Sequence, residues 1–159
     1  IDALPVALET GSVTSHEITF KAIEAMEDLD HPYHDPDQNA MYRFIVDGFD
    51  IGHMGDMGNK FSDEQIGFFG GVDILLSHAG GKPVIPLEEL NRIVDRVNPK
   101  LVIPMHFRTL SYKPCDMHFI SSFIESFGKE RVDFACNSSI ILNKSDLPSN
   151  TRALVLDNV

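Results

Sequence analysis

The chain has 159 residues, which is the length of one domain, and its 43% of hydrophobic residues are enough to form a packed core. The 24 acidic and 13 basic residues give a formal net charge of −11, which argues against a nucleic-acid partner, because binding to phosphates requires clustered Lys and Arg. The sequence contains no apolar run long enough to cross a bilayer and no basic, apolar export signal at its start. We therefore expect a cytoplasmic protein that acts on a small molecule and binds neither nucleic acid nor membrane.

The first part of the chain has the patterns of three strands and one short helix. The predicted strands span 18–26, 42–46 and 49–53. Asp47-Gly48 separates the last two and is a strong signal for a tight hairpin turn. Ser62 is expected to cap the helix, because Gln65 three residues later completes a capping box.

Strands and amphipathic helices alternate from residue 72 onward. Pro86 opens one helix, which Asn98-Pro99 ends, and a second helix over 119–127 ends at Gly128. The predicted strands span 72–76, 101–105, 139–142 and 153–156. This order of elements predicts an α/β fold. Its helices and strands should form separate layers, as they do in α+β proteins. The apolar strands need to be covered on both faces, and the predicted helices are too few to do this. We therefore expect part of the fold to lie outside these 159 residues.

In two short stretches of the sequence, an apolar strand is followed by a residue whose side chain can bind a metal. The first string, 51–56, leads to Asp56, and the second, 102–106, leads to His106. A residue just past a strand is exposed yet rigidly held, which is where α/β proteins place their chemistry. Taken singly, Asp56 suits a glycine-rich turn and His106 suits ordinary packing. Because both strings occur in one chain, we expect the two side chains to meet around one cation.

Other metal-binding residue types lie near strand ends or in the polar loop 27–39. His53 and His78 are interpreted as groups that line the pocket or orient the ligands through hydrogen bonds. The loop contains Glu27, His31 and His34, and a solvated acidic loop is the ordinary alternative for such residues. No serine or cysteine lies in a nucleophile-elbow pattern, which favours a metal-activated water over a side-chain nucleophile.

Three strings together resemble the C-terminal half of metallo-β-lactamase-like metal-dependent hydrolases, in particular the branch that includes ascorbate-6-phosphate lactonase. The family's HxGD, DVLL…GG and P(K/R)…IPMH patterns correspond to 53–56, 73–81 and 99–106. The resemblance covers roughly residues 15 to 110. It implies an αββα sandwich with one or two metal ions at its edge, of which this chain would form half.

The resemblance also implies roles for individual residues. Asp56 matches the bridging carboxylate and His106 the last histidine ligand. Glu27 aligns with the middle histidine ligand, and either His31 or His34 could replace it. Zinc is the expected divalent metal, and a carboxylate ligand would shift the preference toward Mn²⁺ or Fe²⁺.

The family's HxHxDH string, which supplies most of the ligands, does not occur in these 159 residues. We therefore expect residues 1–159 to be the C-terminal part of one metallo-β-lactamase-like domain, inactive alone, whose partner is the N-terminal part or a second copy. The leading hypothesis is a hydrolase in which a metal-activated water attacks an ester, lactone, amide or phosphodiester. The alternative is a non-catalytic scaffold or regulatory relative that has lost part of the metal site.

Overall fold

The structure is a computed structural model that describes residues 10–26, 39–81 and 84–157. These residues form one eight-stranded sheet in the order β1-β2-β3-β4-β5-β6-β8-β7. The strands are β1 Gly11–Ser15, β2 Ile18–Ala25, β3 Asn39–Val46, β4 Phe49–His53, β5 Ile74–His78, β6 Leu101–Met105, β7 Val132–Phe134 and β8 Arg152–Val155. The α-helices are α1 Asp63–Phe69, α2 Leu87–Val97 and α3 Ile120–Phe127. The predicted α/β class is confirmed.

The sheet changes from antiparallel to parallel pairing at β4. Strands β1 to β4 form antiparallel pairs in sequence order, and β4, β5, β6, β8 and β7 run parallel. The predicted hairpin turn is confirmed: Asp47 and Gly48 have φ angles of 49° and 80°, which fit a type I′ turn. The predicted capping box of α1 is also confirmed, since Ser62 and Gln65 bond to each other's backbone N–H.

Two predicted strands are corrected. The strand predicted at 72–76 is Ile74–His78, because Val72 still donates to Phe69 at the end of α1. The strand predicted at 139–142 does not form: the apolar side chain of Ile141 is 93% exposed, and the edge strand is Val132–Phe134 instead. Strand β1, which is short and polar, lies outside the predicted strands.

The three helices pack on one face of the sheet and form the core with it. Leu75, Val102 and Ala153 lie side by side across β5, β6 and β8, and all three are fully buried. They pack in one cluster with apolar residues of the helices, among them Phe69 of α1 and Phe123 of α3. Burial of this kind supplies most of the favourable free energy of folding.

Large apolar side chains also occupy the opposite face of the sheet. Because side chains alternate along a strand, Phe44, Ile51, Leu76 and Ile103 point away from the helices. Each of the four remains partly exposed. The ring of Phe44 contacts that of Phe20 at 5.0 Å between centroids. This face therefore continues as an apolar surface across neighbouring strands.

No helix among the described residues is able to span a bilayer. The longest, α2, has 11 residues, whereas a membrane-spanning helix needs about 20 apolar residues.

Candidate metal centre

The candidate site lies at the edge of the sheet where the parallel strands β4, β5 and β6 end. Asp56 follows β4 by three residues, His78 is the last residue of β5, and His106 directly follows β6. Backbone hydrogen bonds continue past the strand ends, from Met54 to Leu76 and from Ala79 to Met105. The three side chains are therefore carried by backbone that the sheet holds in place, at the edge where α/β sheets bind their ligands.

The polar atoms of these three side chains converge. Oδ1 of Asp56 lies 3.4 Å from Nε2 of His78 and 3.5 Å from Nδ1 of His106. One candidate ligand atom from each residue lies within 4.8 Å of the others. The two imidazole rings meet edge to face, with centroids 5.3 Å apart. Among the described residues, no other cluster of three His, Cys, Asp or Glu side chains has this spacing.

The cluster fits a divalent cation. Four ligands at about 2.0–2.1 Å in a tetrahedron lie about 3.3–3.4 Å from one another, and the two Asp56 distances are close to that value. Oδ1 of Asp56 is buried and has no hydrogen-bond partner within the described part of the chain. A buried acceptor without a partner is costly unless a cation or another group satisfies it. One carboxylate and two imidazoles are a donor set that suits zinc.

The environment keeps the imidazole of His78 neutral. Burial, together with the nearby imidazoles of His106 and His53, lowers the pKa of His78 to about 3. A neutral imidazole has a free lone pair, which is the form that binds metals. Nδ1 of His78 has no hydrogen-bond partner among the described residues.

Backbone geometry next to the cluster restricts which residues can be accommodated. Gly55 has a φ of 67°, and a Cβ added there would lie 2.2 Å from the carbonyl oxygen of Ala40. The side-chain amide of Asn39 donates to the carbonyl oxygen of Asp56. His106 has a φ of 51°, a left-handed conformation that is uncommon for residues other than glycine and concentrates at functional sites. Asn39 was not singled out from the sequence, because a backbone contact across 17 residues leaves no local pattern.

The structure brings some of the predicted site residues together and leaves others outside the cluster. Asp56 and His106 lie together, as their strand-end positions led us to expect. His78, predicted to line the pocket, lies as close to Asp56 as His106 does. His53 lies outside the three-residue cluster: its Nδ1 accepts a hydrogen bond of 2.9 Å from the Gly55 amide, and burial lowers its pKa.

The remaining candidates, Glu27, His31 and His34, lie outside the described residues, and their proposed roles stay predictions.

Curated proteins and solved structures are similar to this chain. It is 30% identical over 96 residues to a UPF0173 metal-dependent hydrolase of Staphylothermus marinus, a match that covers 59% of this chain and 42% of that protein. A UPF0173 protein of Pyrococcus furiosus is 32% identical over 69 residues, or 43% of this chain and 32% of that protein. The matches thus span less than half the length of these relatives.

Two crystal structures show the same architecture. A metallo-beta-lactamase superfamily protein of Thermotoga maritima superposes with a TM-score of 0.73 at 26% identity, covering 93% of this chain and 69% of that one. The metallo-beta-lactamase fold protein YhfI of Bacillus subtilis has a TM-score of 0.53 at 12% identity, covering 91% and 49%, and shares the fold alone.

A domain described as the Beta-lactamase superfamily domain matches residues 3–106, which is more than half of the chain and includes Asp56, His78 and His106. The convergent carboxylate and imidazoles, the fold and this match agree, and the chain belongs to the metallo-beta-lactamase superfamily.

Proposed function

We propose that this chain contributes Asp56, His78 and His106 to the metal centre of a hydrolase that cleaves an ester, lactone, amide or phosphodiester. The observation that carries the proposal is the buried Oδ1 of Asp56, which has no hydrogen-bond partner in residues 10–26, 39–81 and 84–157 and lies 3.4 and 3.5 Å from two imidazole nitrogens. The metal-dependent hydrolase from Staphylothermus marinus supports the reaction class. The motif resemblance to the ascorbate-6-phosphate lactonase branch supports the inclusion of lactones.

Each residue has a distinct part in this proposal. Asp56 supplies the anionic ligand, and the buried position of its Oδ1 directs that oxygen toward the imidazoles. His78 and His106 would supply imidazole nitrogen ligands from the ends of adjacent parallel strands. His53 holds the Gly55 amide and so orients the turn that carries Asp56. These residues would hold a divalent cation, whose chemistry there would be to lower the pKa of a bound water to about 7 and so supply a nucleophile at neutral pH.

We propose zinc as the metal, because two imidazoles and a carboxylate are a common zinc donor set. Mn²⁺ and Fe²⁺ remain the alternatives if Glu27 joins the site, since an additional carboxylate favours harder ions. We also propose that this chain binds the cation but is inactive by itself, because further ligands would come from a string such as HxHxDH, which does not occur in these 159 residues.

The first test is the affinity of the chain for Zn²⁺, measured by titration calorimetry after chelator treatment. The variants Asp56→Ala, His78→Ala and His106→Ala should each weaken binding at least tenfold, a typical cost of disturbing a metal site. The matched control is His16→Asn, which removes an exposed histidine in the β1–β2 turn, and Asn tolerates the φ of 48° found there. If all variants bind Zn²⁺ as tightly as the parent chain, Asp56, His78 and His106 do not form a metal centre.

The second test separates the hydrolase from a non-catalytic relative. The full-length gene product is assayed with ester, lactone, amide and phosphodiester substrates, with and without a chelator. Chelator-sensitive turnover that is lost in Asp56→Ala supports the hydrolase. Zinc binding without turnover of any substrate supports the scaffold or regulatory alternative.

A further inference from the structure

The imidazole of His106 contacts the rings of two other residues. The first ring is that of His78, which meets it edge to face with centroids 5.3 Å apart. The second is that of Tyr112, whose centroid lies 6.3 Å away, with 33° between the ring planes. Both separations are typical of aromatic pairs, whose centroids lie about 4.5–7 Å apart. Among the described residues, Tyr112 is the ring partner of His106 that does not itself belong to the cluster.

The contact with Tyr112 matters because few other interactions orient the imidazole of His106. The side chain is 30% exposed, and the residue follows β6 instead of lying within the sheet. A histidine that binds a metal is usually oriented by a hydrogen bond from its other ring nitrogen. Within residues 10–26, 39–81 and 84–157, no such hydrogen bond is formed by Nε2 of His106. The orientation of this ring therefore depends on packing.

A hydrogen-bonded turn holds the backbone of Tyr112 in place. The amide of Thr109 donates to the carbonyl oxygen of Tyr112, and the amide of Tyr112 donates to Oγ1 of Thr109, both at 2.8 Å. The amide of Ser111 also donates to Oγ1 of Thr109, at 3.3 Å. Because both backbone polar groups of Tyr112 are bonded within the turn, the position of its ring does not depend on burial in the core.

The loop that carries this turn is bonded to the chain beside the cluster. The amide of His118 donates to the carbonyl oxygen of Gly80 at 2.7 Å, and the amide of Arg108 donates to that of His118 at 2.9 Å. Gly80 follows β5 by two residues, and Arg108 follows His106 by two residues. The turn and His106 therefore belong to one hydrogen-bonded unit at the ends of β5 and β6.

Tyr112 differs from the core residues in its exposure. Its side chain is 49% exposed, whereas that of His78 is 2% exposed. A half-exposed ring removes little apolar surface from water, so its substitution should cost little of the free energy of unfolding. A change at Tyr112 can therefore be tested at the cluster without loss of the fold.

We infer that Tyr112 is a positioning residue, whose ring restrains the imidazole of His106 in the orientation that directs Nδ1 toward Asp56. The restraint is exerted by the aromatic ring, and the phenol hydroxyl is not required for it. The consequence for metal binding rests on the proposed function. The restraint itself is a property of the metal-free chain and is measured there.

The first test measures the motion of the His106 ring in the chelator-treated chain. Carbon-13 relaxation of histidine labelled at Cε1 gives an order parameter for the ring, and the His106 signal is assigned from its absence in His106→Ala. In the parent chain we expect the value of a rigid group, about 0.85, and in Tyr112→Leu a value toward the flexible range below about 0.6. Tyr112→Phe keeps the ring and should restore the value of the parent chain.

The matched control is Phe134→Leu. It makes the same change from an aromatic residue to leucine at a position that is 55% exposed, on β7. Among the described residues, the rings in contact with His106 are those of His78 and Tyr112, and Phe134 is not one of them. This variant should leave the order parameter of the His106 ring unchanged.

The second test is the affinity of the same variants for Zn²⁺, measured by titration calorimetry. Tyr112→Leu should weaken binding by about three- to tenfold, the range that corresponds to the loss of one aromatic contact. Tyr112→Phe and Phe134→Leu should bind as the parent chain does. No binding by any variant, the parent chain included, would disprove the metal centre and leave the relaxation data to decide the role of Tyr112.

Three results of the relaxation measurement would overturn the inference. One is an order parameter that Tyr112→Leu does not lower. The second is an equal decrease in Tyr112→Phe, which would mean that the hydroxyl group and not the ring restrains His106. The third is an equal decrease in Phe134→Leu, which would mean that any loss of an exposed aromatic residue loosens this end of the sheet.

Discussion

Gly80 and His106 approach each other so closely that no side chain fits between them. A Cβ added to Gly80 would lie 2.4 Å from the carbonyl oxygen of His106 and 3.2 Å from the Cα of Phe107. Both are backbone atoms, which cannot move away as the end of a flexible side chain can. The glycine after β5 therefore determines where the chain passes after β6, and with it the position of the His106 imidazole.

The first prediction is that Gly80→Ala weakens zinc binding without removing a ligand. The added methyl group must displace the backbone of His106, so we expect the affinity to fall about 10–100-fold, as is typical when the support of a metal ligand is disturbed. Calorimetric titration with Zn²⁺ measures the change. The circular dichroism spectrum should stay that of the parent chain. An unchanged zinc affinity would show that this contact does not position His106.

Gly67→Ala should stabilise the protein. Gly67 is an exposed residue within α1, and a Cβ added there meets no atom of the described residues within 4 Å. Alanine loses less backbone entropy in a helix than glycine, so we expect a gain of about 0.5–1 kcal/mol in the free energy of unfolding. The midpoint of thermal unfolding should rise by about 1–4 °C. The same variant serves as the glycine-to-alanine control for Gly80, since its zinc affinity should equal that of the parent chain.

Asp73 connects three segments at the opposite end of the sheet from the cluster. Its carboxylate accepts a hydrogen bond of 2.8 Å from the Asp50 amide and forms an ion pair with Lys144. Partial burial opposes ionisation, but the hydrogen bonds from Lys144 and the Asp50 amide, with the charge of Lys144, outweigh it and lower the pKa of Asp73. The charged form is therefore stabilised more in the folded chain than in the unfolded chain.

The sign of the resulting pH dependence follows from linkage. A carboxyl group with a lowered pKa in the folded state contributes stability above its unfolded pKa of about 3.9, and that contribution disappears as the pH falls through the folded value. Asp73→Asn should therefore lower stability at pH 7 and reduce the loss of stability below about pH 4. Urea unfolding at a series of pH values measures both effects. Asp95→Asn, an exposed position on α2, is the control, and an equal effect of the two substitutions would contradict the role of Asp73.

The expected proximity of Asp56 and His106 came from local signals, whereas their individual roles as ligands came from the family resemblance. Each follows an apolar strand, and parallel strands carry their ends to one edge, so a carboxylate after β4 and an imidazole after β6 could be expected to meet. The prediction from the sequence was wrong about β5, the strand that lies between β4 and β6. Its predicted range of 72–76 left His78 two residues beyond the strand, whereas His78 is paired with Met105 beside His106.

The other errors have similar physical causes. The strand predicted at 139–142 contains a short β-branched and apolar run, but Ile141 is 93% exposed and buries little of its side chain, so propensity alone did not make a strand. The close approach of Gly80 to His106 joins residues 26 positions apart. Contacts of this kind depend on the assembled sheet, and no local pattern in the sequence records them.

Phe44 and Ile45 are adjacent in β3 and point to opposite faces of the sheet. Phe44 lies on the apolar face away from the helices, with Phe20, and is partly exposed. Ile45 lies on the other face and is 62% exposed at the end of the strand. We propose that the Phe44 face is covered by a second copy when this chain is alone in solution, because an apolar surface extending over several strands is unfavourable in water.

The last prediction is that this chain associates with itself through that face and that Phe44→Lys weakens the association. Burying a charge without a partner in an apolar interface is costly, so the variant should shift the population toward monomer. Sedimentation velocity over a range of concentrations measures the distribution. Ile45→Lys adds the same charge one residue away on the other face and should leave the distribution unchanged. A parent chain that sediments as a monomer at all concentrations, or an equal effect of the two lysines, would contradict the proposal, because either result means that the apolar face is not what brings the copies together.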